Sequence, residues 1–147
     1  MILRRFLFAI ALLGTAIVSA APGDPIDPKT FKDTVSLPLG TQGTIQFKQE
    51  GAAITAATLV ADPDGKLPGI RVDFKQQHEF LGLKVKNALT KALRYRAAIR
   101  LKGSKDFQET SLINPIMAGL LGYETWKDPI EELVLFDFKL TAEKPEL

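Results

Sequence analysis

Seven side chains of this 147-residue chain are the best candidates for contact with a ligand or partner: Lys84, Lys86, Arg94, Arg96, Arg100, Tyr123 and Trp126. The cations recur at alternate positions, and alternate residues of a β-strand share a face. Lys84 and Lys86 therefore fall on one face of one strand. Arg94, Arg96, Arg100 and Lys102 fall on one face of the next. If the two strands pair as a hairpin about residue 90, Val85 meets Tyr95, Leu83 meets Ala97 and Leu81 meets Ile99 on the inner face. The same register sets Lys86 against Arg94 and Lys84 against Arg96 on the outer face. Opposed like charges cost roughly 0.2–1 kcal/mol per pair. Acids on neighbouring strands (Asp73, Asp137 or Glu109) would offset that cost, or an anionic glycan or lipid would. Tyr123 and Trp126 end a crowded apolar segment with Ile116, Met117, Leu120 and Leu121. Such rings serve partner or sugar contacts when exposed, and plug the open end of a fold when buried.

Other chemistries find less support. His78 is the lone histidine and there is no cysteine, so a His- or Cys-based zinc site is not expected. Ser36, Ser104 and Ser111 lie in no nucleophile-elbow motif. Asp62-Pro63-Asp64-Gly65 lacks the further oxygen ligands of a calcium loop and reads as a turn. Glu131 and Glu132 are adjacent, with Glu124 and Asp128 near. Adjacent strand residues point to opposite faces, so these acids read as the charged start of the last strand, not as a glycosidase pair. No catalytic set, cofactor or metal is expected. A small hydrolase with an unrecognised site is the alternative.

The elements that must position these residues are strands. Period-two alternation runs through Phe31–Leu39, Ile45–Lys48, Ile70–Lys75, Leu81–Lys86 and Leu93–Lys102. Ala53–Ala61 reads as a more buried strand and Phe107–Leu112 as a shorter one. Ile130–Leu140 closes the chain with Val134, Phe136, Phe138 and Leu140 on one face. One stretch breaks the pattern. Asn114, Pro115 and Gly122 follow cap, first-turn and stop rules, so a short helix or helical turn crossing between sheets is expected there. The fold class is an all-β antiparallel sandwich of seven or eight strands with one short helix.

Residues 1–20 read as a cleaved secretory signal. Arg4-Arg5 precedes an uncharged run of 13 residues from Phe6 to Val18, and Val18-Ser19-Ala20 supplies small residues at −3 and −1. That run is shorter than the roughly 20 residues a membrane span needs. No transmembrane segment is therefore expected, and a periplasmic address is favoured over the extracellular medium. Residues 21–147 then form a single domain, led in by Pro22, Pro25 and Pro28. Arg4 and Arg5 leave with the signal, so 17 basic and 17 acidic residues remain. Zero net charge argues against nucleic acid as a partner. An exported chain without cysteines is held by packing and hydrogen bonds, without disulfides.

Leu83-Lys84-Val85-Lys86-Asn87 followed by Leu93-Arg94-Tyr95-Arg96-Ala97 resembles a strand pair of bacterial periplasmic immunoglobulin-like domains. There an Asn often ends one strand and an aromatic anchors the next. The resemblance covers about a third of residues 21–147 and implies an immunoglobulin-like sandwich. The expected role is non-catalytic: binding or assembly in the cell envelope, with an envelope protein or glycan as partner. Use of the basic face for an anionic glycan or lipid is the alternative.

Overall fold

A computed structural model describes residues 25–112 and 114–142. The expected signal at 1–20, with the start of the proline-rich lead-in, lies outside them. The described chain is all-β, with ten strands: β1 (Pro25–Ile26), β2 (Val35–Pro38), β3 (Gln42–Glu50), β4 (Ala53–Val60) and β5 (Ile70–Gln77), then β6 (Phe80–Asn87), β7 (Ala92–Leu101), β8 (Phe107–Thr110), β9 (Leu121–Trp126) and β10 (Ile130–Thr141). They form two antiparallel sheets. The first runs β4-β3-β5-β6-β9 and the second β1-β8-β7-β10-β2. Eight of these strands match the expected segments, and β1 and β9 are additional. β4, expected to be more buried, is half-buried to exposed along its length because it lies at the edge of its sheet.

Inward side chains of both sheets make one core. Leu37, Ile45, Ile70, Phe74, Leu83 and Leu135 are almost fully buried in it. Each such burial stabilises by about 1.5–3 kcal/mol before ordering costs. The turns follow local chemistry. His78 holds a positive φ of 52° in the two-residue link between β5 and β6, so the lone histidine is a turn residue. Asp62 caps its turn by accepting the amides of Lys66 and Leu67 at 3.0 and 3.2 Å.

Three expectations are corrected. The first is the hairpin about residue 90. β6 pairs with β5 and β9, whereas β7 pairs with β8 and β10, so the two strands lie in different sheets. Asn87 makes the crossing. Its buried side chain accepts from the Leu89 amide at 3.0 Å and donates to the Lys91 and Ile116 carbonyls at 2.8 and 2.9 Å. The inward residues of β6 and β7 thus both reach the core, from opposite sides.

The second is the helix after Asn114. The segment does cross between sheets, but as a bridge at Ile116 followed by a tight turn from Met117 to Leu120, with Gly119 at φ 73°. Asn114 accepts from the Tyr95 amide at 3.3 Å and donates to the Tyr95 carbonyl at 3.0 Å. Ile116 exchanges both backbone bonds with Leu93 at 2.8 and 2.9 Å, and Gly119 and Leu120 bond the backbone of Asn87. A helix this short leaves most of its terminal amides and carbonyls without partners. Pairing with β7 and β6 satisfies them instead.

The third is the face of the last strand. Val134 and Phe136 lie on the outer side of the second sheet, whereas Phe138 joins the main core and Leu140 packs against it. Asp137 has φ 53° at a register shift between Phe136 and Lys139, and this bulge reverses the alternation. The buried Asp33 carboxylate holds the bulge by accepting the Asp137 and Phe138 amides at 3.2 and 2.6 Å.

Candidate functional site

The seven candidate residues divide between three places. Arg94, Arg96 and Arg100 are on the second sheet, and the structure ties down two of them. Arg96 makes a two-pronged pair with Glu109 at 2.7 and 2.8 Å. Its guanidinium also lies 5.3 and 5.0 Å from the ring centres of Phe31 and Phe136. The Glu109 hydrogen bond raises the Arg96 pKa, and Arg96 in turn lowers that of Glu109. Arg100 clamps Glu131 at 2.7 Å and Glu132 at 3.1 Å. The two glutamates therefore do not point apart as strand parity implied, because the register shifts between Ile130 and Glu132. Arg94 stands exposed opposite Lys139, with no ion pair among the described residues.

Trp126 is fully buried. Its indole N–H donates to the Thr110 hydroxyl at 3.2 Å, and its ring meets Phe74 edge-on at 6.4 Å. It is a core side chain of β9 and closes the side of the sandwich facing β8. Glu124, two residues earlier, also faces inward, opposite Leu83 and 2% exposed. It does not belong to the charged start of the last strand. Burial, then the Glu124 charge, pushes the Tyr95 phenol above its ordinary pKa.

Lys84, Lys86 and Tyr123 come together on the outer face of the first sheet. Strand register builds that face in rows. One row reads Thr44, Arg71, Lys86, Leu121 across β3, β5, β6 and β9; the next reads Gln42, Asp73, Lys84, Tyr123. All of these but Tyr123, together with the Asp62–Gly65 turn, line a concavity of about 430 Å³. Like charges do oppose each other, but the partner of Lys86 is Arg71, not Arg94.

Arg71 is the residue missed by sequence reasoning. It is half-buried, and its guanidinium lies against the Gly65 backbone. A Cβ on Gly65 would sit 2.9 Å from the guanidinium carbon, and Gly65 also needs φ 63° for the turn. The Arg71 Nε is buried without a hydrogen-bond partner. The only sequence signal was Gly65 in a turn six residues before an outward-facing arginine, and strand order was needed to use it.

The acids around this site are largely occupied. Asp62 accepts the Thr44 hydroxyl at 2.7 Å as well as its two turn amides. The Thr44 bond, followed by those amides and the Arg71 charge, holds Asp62 below its ordinary pKa despite some desolvation. Asp73 pairs with Lys75 at 2.9 Å. Asp64 is exposed at the turn. Arg71, Lys84 and Lys86 form no ion pair among the described residues. Tyr123, opposite Lys84, does not line the concavity; its hydroxyl donates to the Gln77 side chain. Its ring lies over Gly82, where a Cβ would come within 2.7 Å of the phenol oxygen.

Three cations with spare donors around a concavity can bind an anion. Among the described residues no three Asp, Glu or His side chains are grouped to hold a metal ion. Comparison with known proteins gives no match: no family model, curated protein or solved structure is similar to this chain.

Proposed function

We propose that this chain is an exported, non-catalytic module of the cell envelope, immunoglobulin-like in fold, that binds an anionic ligand on the outer face of its first sheet. The observation that carries the reading is Arg71. Its Nε is buried and unpartnered, and its neighbours Lys84 and Lys86 make no ion pair among the described residues. A guanidinium held against the Gly65 turn beside two unpaired ammonium groups favours an anion in the concavity. The concavity of about 430 Å³ is within the usual range for small-ligand sites.

Titration with inorganic phosphate and with a sulfated oligosaccharide tests the site. Binding should weaken as salt rises. Arg71→Gln with Lys86→Gln should abolish it, and Arg94→Gln should leave it intact. Absence of binding to either probe, or binding that survives the double substitution, rejects the reading. Export is checked by mass spectrometry of protein from the native host, which should show an N-terminus at Ala21.

Assembly is the second reading, favoured by β4. Its eight residues, Ala53–Val60, carry no charge and no proline and lie at the edge of the first sheet. Such an edge is a template for another strand. Thr58→Lys should then dissociate an oligomer seen by sedimentation; a monomeric parent protein rejects this reading.

A further inference from the structure

We infer that the anion is the phosphate of an acidic phospholipid and that the protein docks on a bilayer surface through one corner of the first sheet. This rests on the anion-site reading and names its ligand class. Four large apolar side chains are exposed among the described residues, and three of them belong to one corner: Met117, Leu120 and Leu121, exposed by 36, 57 and 54%. Leu121 stands directly opposite Lys86 on the same face and lines the same concavity as Arg71. Cationic and apolar surfaces are therefore continuous.

The apolar corner is held in shape. Leu120 donates its amide to the Met117 carbonyl at 3.1 Å, and Asn87 donates its own to the Leu120 carbonyl at 3.0 Å. The Ile116 carbonyl accepts from the buried Asn87 side chain. Met117 and Leu120 are exposed on this braced turn, and Leu121 follows it as the first residue of β9. A water-soluble glycan would gain little from them. An acidic bilayer gains on both counts, with phosphates at Arg71, Lys84 and Lys86 and acyl chains around the leucines. Of the three acids that line the concavity, Asp64 is exposed on its turn, Asp73 is paired with Lys75, and Asp62 is occupied by Thr44 and its turn. Among the described residues no helix is long and apolar enough to cross a membrane, so docking would be peripheral.

Vesicle flotation with the purified protein tests the proposal. Phosphatidylcholine vesicles containing phosphatidylglycerol should carry the protein up at low salt, and pure phosphatidylcholine vesicles should not. Leu120→Ser with Leu121→Ser should weaken vesicle binding by about tenfold or more, the scale expected for removing two apolar side chains from an interface. Binding of soluble glycerol phosphate should be unchanged in that variant. Arg71→Gln with Lys86→Gln should lose both. If the parent protein does not float with acidic vesicles, or the leucine variant floats equally well, the membrane proposal is overturned. Retained glycerol phosphate binding then leaves the anion site standing, and loss of both kinds of binding removes the site as well. Leucine substitutions that dissociate a dimer, with no effect on flotation, would assign the corner to a second copy and likewise overturn the proposal.

Discussion

The outer faces of the two sheets carry the same kind of cation at the same alternate spacing, yet they use it differently. On the second sheet Arg96 and Arg100 are paired with Glu109, Glu131 and Glu132 and lie over Phe31, Phe136 and Phe107. The chain from Ile26 to Phe31 covers that face and makes a second apolar cluster with Ala98, Val134 and Phe136. On the first sheet, among the described residues, the Asp62–Gly65 turn lies at one side of Arg71, Lys84 and Lys86 and the face is otherwise open. Arginine on a strand exterior is thus a structural residue where a segment folds over it, and a candidate binding residue where the face is left open.

The largest expected effect tests whether the covered face is a true core. Trp126→Ala, within the main core, should cost about 3–5 kcal/mol in denaturant unfolding. Phe136→Ala, on the outer side of the second sheet, should cost a similar amount, since Phe136 is fully buried and its ring lies 4.7 Å from that of Phe31. A Phe136→Ala loss below about 1 kcal/mol, the scale of a surface substitution, breaks the comparison. Trp126 is the only tryptophan, so its emission should be blue-shifted and poorly quenched by iodide.

Asp33→Ala should cost somewhat less. It strips the Asp137 and Phe138 amides of their acceptor, and an unmade buried hydrogen bond costs about 1–3 kcal/mol. Asp33→Asn should recover part of the loss, because one acceptor oxygen remains. Equal destabilisation by both variants would mean that the bulge depends on charge rather than on acceptors.

The arginines give the sharpest contrast for a smaller effect. Arg96→Gln should lower stability by up to about 1 kcal/mol, as exposed ion pairs do, with any loss of ring contact added. Arg71→Gln should leave stability equal or raised, since it removes a buried unpartnered donor, while abolishing anion binding. Matching losses from both substitutions would erase the distinction between the faces.

The smallest effect is in acid. Arg96 lowers the folded-state pKa of Glu109, so the stabilisation from this pair is fully present above the unfolded carboxylate value of 4.5. It is lost as pH falls through the lower folded value. Glu109→Gln should therefore flatten the acid limb of a stability profile. An unchanged profile would show that the rings and Asp137 hold Arg96 without Glu109.

Local chemistry was readable wherever a residue acts on its own neighbours. Alternation and apolar runs marked eight of the ten strands, and Asp62-Pro63-Asp64-Gly65 declared its turn. The positions of Lys84 and Lys86 on an outward face followed from parity alone. Parity carries no information about strand partners, so it could not tell that β6 and β7 part company at Asn87, or that Lys86 faces Arg71. Nor could it anticipate the bulge at Asp137, which depends on a carboxylate 104 residues away. The helix grammar of Asn114–Gly122 was sound as local preference. It lost because Leu93 and Asn87 pair with its backbone from two different sheets, while Tyr95 holds the Asn114 side chain. Strand existence and face were thus set by side-chain order along the chain. Sheet membership, the covering of one face and the baring of the other were decided by long-range pairing, where hydrogen bonds and buried area are gained between residues that no local pattern connects.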